Sequence, residues 1–311
     1  MMPYLTTLQR VWADINAALQ SDEVRRVTTA LADLTKAGAR RLMAIRRQYV
    51  AKLGWPIATT LECLVVTGTI FALAPDLDLI ASNRYYVGHA FIGPGVLGNF
   101  LRVIGWLVPS ALLAISLMSG LTGLVLADWS RIVAKFPWLG RFAPKRPSGA
   151  FWNSFQTRYL PLFTFARTAF LALSMLLGPG LLVNGILKDH WHRPRPVQVT
   201  EFGGTAQFQP WWSRDGSCET NCSFVSGEAS AATWLLAPAL LVPAPFQPLA
   251  VAAAFMFAIA VGRLRMAFGG HFLSDTLISI LLTTLVILLL HRWLIAAKPP
   301  PFAEPGTHSL P

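Results

Sequence analysis

Acidic side chains are scarce in this chain. Aspartate and glutamate number 15 in 311 residues, and charged residues of both signs make up only 13%. That is too little charge to clothe a water-soluble globule. With 54% hydrophobic residues, the balance is that of a polytopic membrane protein. No cluster of Asp and Glu offers a magnesium site. Cysteine is rare as well: Cys63, Cys218 and Cys222 form no CxxC pair, and no histidine cluster joins them, so no zinc site is expected. No RNA- or DNA-binding motif accompanies the net charge of +11, which sets nucleic acid aside as a partner. Polar residues interrupt the first fifty positions, and no small-residue cleavage site follows an apolar core, so a cleavable leader is not expected.

What the chain does have is long apolar runs edged with basic residues. Residues 1–55 read as a cytoplasmic amphipathic helical segment. Leu5, Leu8, Val11, Ile15 and Leu19 keep one face, and Val24, Val27, Leu31 and Leu34 continue it after a break at Ser21-Asp22-Glu23. Arg40, Arg41, Arg46, Arg47 and Lys52 crowd its end. They suit anionic lipid headgroups, or a solvated helix that sets orientation; either reading places this end in the cytoplasm. Residues 56–297 hold six hydrophobic spans, at about 56–73, 103–127, 160–187, 229–242, 249–261 and 277–295. The fourth and fifth are short for a bilayer, and Pro243, Pro245 and Pro248 break the chain between them. Residues 298–311 form a Pro-rich tail expected to be disordered. The fold class expected is all-α, an integral membrane protein of six spans.

Orientation follows from charge. Residues 128–158 carry Arg131, Lys135, Arg141, Lys145, Arg146 and Arg158 against Asp128 alone, so this stretch and both termini should be cytoplasmic. The loops 75–102, 188–227 and 263–271 then face outside. Trp211 and Trp212 in the second of these suit a membrane interface. Cys218 and Cys222 share that loop and are candidates for a small disulfide in an oxidising compartment, with free thiols the alternative. Glu62 and Arg167 fall within spans; pairing inside the bundle is the reading preferred over a direct part in chemistry.

Three polar clusters sit at outside-facing span ends. The first is Lys188-Asp-His-Trp-His-Arg-Pro-Arg195-Pro196, the second Cys222-Ser-Phe-Val-Ser226-Gly227-Glu228, and the third holds Arg265, His271 and Asp275. Together they carry what phosphoryl transfer needs, which is mostly positioning and charge stabilisation. Lys188, Arg195 and Arg265 are three fixed cations for phosphate oxygens. Ser226 and Gly227 lie where a helix should start, with backbone N–H groups suited to an anion. His271 is the candidate nucleophile. Asp275, four residues on, should share its helical face and fix its tautomer. With three cations at hand the reaction should need no metal, and no cofactor is expected.

These spacings resemble the type 2 phosphatidic acid phosphatase superfamily of membrane lipid phosphatases. Its pattern is Lys, six residues, Arg-Pro; then Pro-Ser-Gly-His; then Ser-Arg, five residues, His, three residues, Asp. Lys188 to Arg195-Pro196 fits the first part, Ser226-Gly227 the middle of the second, and Arg265, His271 and Asp275 the third. The resemblance covers roughly residues 56–295. It implies a six-helix bundle, a phosphohistidine intermediate on His271, and lipid phosphates or diphosphates as substrates. Val225 replaces the motif's proline and Leu264 its serine. Glu228 stands where the family has a histidine that protonates the leaving oxygen, so Glu228 is the candidate acid if burial keeps it protonated. His190 and His192 are alternative acids, or ordinary loop histidines.

The function expected is hydrolysis of a lipid phosphate monoester or diphosphate on the periplasmic face of a bacterial inner membrane. Lipid A phosphate, undecaprenyl diphosphate, phosphatidylglycerol phosphate and phosphatidate are candidates, with a lean to lipid A. A lipid phosphotransferase would use the same intermediate. A six-span anion transporter would use the basic residues as an entry site, but would put polar groups through the bilayer depth. The family's fold is shared with soluble vanadate haloperoxidases, which the six spans disfavour. Partners beyond the bilayer and its lipid, and the oligomeric state, are left open.

Overall fold

Apolar runs dictate the helices. The computed structural model describes residues 22–135, 137–142 and 165–296. The helix expected over 4–21, the basic residues Lys145, Arg146 and Arg158, the start of the third span at Leu160 and the tail from 298 lie outside those residues. The chain divides into two units at Ala58. In the first, helix α1 (Asp22–Leu53) runs 32 residues without a break and ends on Lys52, a charge that suits the negative end of a helix dipole. Its apolar Leu42, Met43 and Ile45 are exposed, as are Arg40, Arg41, Arg46 and Arg47.

Helix α2 (Trp55–Leu73) follows. The second unit continues with a short helix α3 (Asp76–Asn83) and a two-residue hairpin, β1 (Tyr86–Val87) against β2 (Ala90–Phe91), in which Tyr86 faces Phe91. Helix α4 (Val96–Lys135) comes next. Helix α5 (Phe165–Met175) widens into a π-helical stretch at Leu176–Leu187 and ends in one further turn at Lys188–His190. Pro179 lies inside that stretch, where a missing N–H and a bulky ring oppose ordinary α-helical bonding. Helices α6 (Gly227–Thr233), α7 (Leu236–Ala239), α8 (Gln247–Ala267) and α9 (Leu273–Leu294) complete the unit.

The fold is all-α, with five rather than six helices long and apolar enough to cross a membrane among the described residues: α2, the first part of α4 to Leu121, α5, α8 and α9. Over the expected fourth span, 229–242, the chain forms two short helices, α6 and α7, parted at Trp234 and Leu235. Residues 227–239 would rise only about 20 Å as one helix, short of a hydrocarbon core of about 30 Å. The fifth span is not short: α8 runs 21 residues, through Arg263 and Arg265.

Helix α9 is the central element. Ile287 and Leu290 pack with Phe170 of α5 and with buried Trp234, whose indole N–H donates to the Leu171 carbonyl and to Ser174 Oγ. Small polar side chains tie α9 to α6: Ser230 and Thr283 hydroxyls lie 2.6 Å apart, and Ser279 Oγ donates to the Ser226 carbonyl at 2.6 Å. Such contacts draw apolar helices together where hydrophobic exclusion from water is absent. By contrast α4 leaves Val96, Leu97, Phe100, Val103 and Met118 exposed, a face suited to lipid.

Candidate active site

The last turn of α5 delivers the first cation. The Asn184 side chain donates to the Pro179 carbonyl at 2.7 Å, and its Oδ1 accepts from Lys188 Nζ at 3.4 Å. Asn184 thus orients the ammonium toward Gly227. A Cβ at Gly227 would stand 2.6 Å from Asn184 Oδ1 and 3.3 Å from Lys188 Nζ, so glycine is what lets α6 approach. Arg195 lies in the following loop and donates from Nε and Nη2 to the Asn221 carbonyl, at 3.1 and 2.7 Å. Arg265 sits in the last turn of α8, buried, with its guanidinium packed over Gly270; a Cβ there would fall 2.5 Å from Nη2.

All three cations act electrostatically on one ring. His271 is buried, and its proton affinity is held well below the ordinary imidazole range, first by burial and then by the charges of Arg265, Arg195 and Lys188. Its Nδ1 lies 2.6 Å from the Ser223 carbonyl. A carbonyl only accepts, so Nδ1 carries the proton and Nε2 the lone pair.

The expected hydrogen bond from His271 to Asp275 is replaced by that carbonyl contact. Helix α9 starts only at Leu273, after an extended Phe272, so His271 precedes the helix and the shared face does not exist. Asp275 instead turns back to accept from the Phe272 N–H at 2.9 Å and from Ser223 Oγ at 2.5 Å, and it pairs with Arg193 Nη1. Its link to the imidazole is therefore indirect: it fixes Ser223, and Ser223 fixes the ring.

Arg193 is the hub of this buried wall. It is 0% exposed, and it also pairs with Asp78 at 2.8 Å, donates to Ser274 Oγ at 2.9 Å and to the Gln209 carbonyl at 2.8 Å, and lies 4.3 Å from the Phe272 ring centre. Asp78, in α3, accepts in turn from the Ser274 N–H and hydroxyl.

Glu228 stands in front of the wall. Arg102 of α4 donates to it from Nε at 3.0 Å and Nη2 at 2.8 Å, and Arg265 Nε is 3.5 Å away. A fork of this kind is the partner of an ionised carboxylate, which accepts and has no proton to give. Ser226 is buried; its Oγ caps α6 by accepting from the Ala229 N–H at 3.4 Å, and its own N–H donates to the Asp275 carbonyl. Its hydroxyl is thus occupied, while Gly227 borders Lys188 directly.

The remaining candidates are placed as follows. Cys218 and Cys222 are bonded through their sulfurs, with Cα atoms 5.7 Å apart. His190 Nδ1 bonds the Ile186 carbonyl one turn back in its own helix, and His192 Nδ1 donates to the Cys218 carbonyl across the loop, so both serve local structure. Trp211 is half-buried against α2, donating to the Gly68 carbonyl at 3.1 Å, while Trp212 is exposed. Glu62 and Arg167 both have partners. Among the described residues no three His, Cys, Asp or Glu side chains gather to hold a metal ion.

A family model described as the PAP2 superfamily matches residues 167–298. This segment is similar to the PAP2 superfamily. Lipid A 4'-phosphatases are similar to the chain: that of Rhizobium leguminosarum is 45% identical over 105 residues, covering 34% of this chain and 45% of the relative. That of Rhizobium etli is 48% identical over 102 residues, 33% of this chain and 40% of the relative. That of Francisella tularensis subsp. novicida is 46% identical over 107 residues, 34% and 48%. The chain thus matches under half the length of these relatives. No solved structure matches.

The PAP2 segment supplies Lys188, Arg195, Arg265, His271 and Asp275. Asp78 and Arg102 come from before it. Neither was singled out in the sequence, and nor was Arg193. An acid in a loop of apolar surroundings was the one available signal for Asp78; Arg102 reads there as an ordinary charge at the edge of a span.

Proposed function

We propose that this chain is a membrane lipid phosphatase that works through a phosphohistidine on His271. The observation that carries the reading is a buried imidazole whose Nδ1 is tied to the Ser223 carbonyl, leaving Nε2 free, within the electrostatic reach of Lys188, Arg195 and Arg265. Nε2 attacks phosphorus; the bond from phosphorus to the lipid oxygen breaks, and that oxygen takes a proton. Water then attacks phosphorus, the N–P bond breaks, inorganic phosphate leaves, and the water's proton returns to the acid-base group. The cations stabilise charge on the transferring oxygens, while the Ser223 carbonyl holds the Nδ1 proton throughout.

Glu228 is the group we assign to that proton, despite its resting ion pairs. A phosphate monoester arriving as the monoanion at Arg265 and Arg102 draws those cations off the carboxylate and brings the proton with it, which Glu228 then passes to the leaving oxygen. Lipid A phosphate is the substrate best supported, because the relatives are lipid A 4'-phosphatases. A periplasmic site on a bacterial inner membrane, with both termini cytoplasmic, is supported by the disulfide, which suits an oxidising compartment, and by the basic residues around 128–158. The membrane domain is assigned to 56–297, and the reaction as metal-independent.

The test is release of inorganic phosphate by the purified protein from lipid A, phosphatidate and undecaprenyl diphosphate, in excess chelator and without an acceptor lipid. His271→Ala should lower turnover at least about 10⁴-fold. Undiminished release by that variant would refute the nucleophile. Release that requires an acceptor lipid would instead mark a phosphotransferase.

A further inference from the structure

Beside Glu228 lies an open cleft of about 280 Å³, lined by Asn99, Arg102, Val103, Trp106 and Glu228. The four α4 residues are spaced at 99, 102, 103 and 106, one stripe of the helix. Trp106 is 62% exposed, yet it does not sit on a purely apolar surface: Arg102 is one turn away, and Asn99 one turn further. Glu228 joins this cleft to the phosphate site, since its Oε1 lies 3.0 Å from Arg102 Nε and 3.5 Å from Arg265 Nε. Arg102 is also within the electrostatic reach of Arg195 and Arg265.

We infer that this cleft is a sugar subsite, binding the pyranose ring whose hydroxyl carries the phosphate. A sugar ring has an apolar face of C–H bonds and an edge of hydroxyls. An exposed indole offers the negative π face that C–H groups prefer. An amide, a guanidinium and a carboxylate around it are planar donors and acceptors matched to hydroxyls. The alkyl chain of a glycerophospholipid would use neither feature. The inference rests on the phosphatase reading and adds which part of the substrate is recognised and where. It draws specificity from α4, outside the PAP2 segment.

The experiment compares lipid A, whose phosphate is on a sugar, with phosphatidate of matched acyl length. Two readouts are taken: kcat/KM for phosphate release by the active protein, and binding of the intact lipids to His271→Ala protein. Trp106→Ala should lower the lipid A to phosphatidate ratio about tenfold in both readouts, the scale of one aromatic contact. Trp106→Phe, which keeps an aromatic face, should restore most of it, and Asn99→Ala should lower it by a smaller factor. An unchanged binding ratio in Trp106→Ala overturns the subsite and leaves Trp106 a lipid-facing residue, whatever the turnover shows. A shifted binding ratio, when the protein with His271 intact releases no phosphate from either lipid, would sustain the subsite while refuting the phosphatase.

Discussion

Two arginines two positions apart define the two sides of His271. Behind the ring, Arg193 is fully enclosed and faces two carboxylates, Asp78 and Asp275. In front, the guanidinium of Arg195 has, among the described residues, only the Asn221 carbonyl as a hydrogen-bond partner, and it shares the space with Lys188, Arg265 and Arg102. The wall is compensated; the face is not. Among the described residues Glu228 is the one carboxylate that pairs with any of these four cations, and it is held at the edge by Arg102; Asp189 and Asp275 act on Lys188 and Arg195 without bonding to them. A buried charge without its counterion is costly, so an excess of positive charge around His271 is a state that an incoming anion would relieve. Charge balance, more than residue type, separates the arginine that builds the site from the one that works in it.

Removing each arginine should break the molecule in different ways. Arg193→Ala leaves two acids uncompensated in the interior, a loss of about 3–5 kcal/mol for buried pairs. The protein should unfold at markedly lower temperature in detergent, with activity lost along with the fold. Arg195→Ala should leave the unfolding midpoint nearly where it was and lower kcat/KM about 10²- to 10³-fold, the scale of one transition-state electrostatic contact. If Arg195→Ala unfolds as readily as Arg193→Ala, the division into wall and face is wrong.

That division was only half legible in the sequence. His271 and the three front cations could be singled out because each sits at a span end, where spacing within one short segment decides its neighbourhood. Arg193 and Arg195 flank a proline, and nothing local says which of the two faces inward. Their sorting depends on Asp78, 115 residues from Arg193 in sequence. The partner of Glu228 is likewise remote, with Arg102 126 residues away. The span expected at 229–242 is parted at Trp234-Leu235 into α6 and α7, a break that an apolar run does not announce. Conversely, Arg263 and Arg265 suggested a loop, although α8 continues through both of them. The pairing of His271 with Asp275 failed for a simpler reason: four-residue spacing means a shared face only once the helix has begun.

Glu228 tests the front face more gently. If its carboxyl protonates the departing oxygen, Glu228→Gln should lower kcat about 10²-fold on a sugar or glycerol phosphate, whose leaving oxygen is strongly basic. The loss should shrink to a few-fold on an aryl phosphate, whose leaving group departs without help. The same factor on both substrates would mean that Glu228 only tethers Arg102 and Arg265, and that the proton comes from elsewhere.

The smallest effect, and the one most specific to the face, is in pH. A protonated imidazole has no lone pair with which to attack, so kcat/KM fades as pH falls through the value for His271 in the free protein. Burial, then Arg265, Arg195 and Lys188, hold that value well below 6.5, so the contribution of His271 should persist from neutrality to well under its ordinary titration range. Arg265→Ala removes the largest of the charge contributions and should move the acidic limb upward, toward 6.5, besides lowering the rate. The phosphate of the substrate also titrates, with a second ionisation near pH 6, and it shapes the same limb. That ionisation belongs to the lipid and stays fixed when the protein is changed. A limb that shifts with Arg265→Ala therefore reports the imidazole, while one that stays in place on the same lipid would show that the front cations do not set the state of the nucleophile.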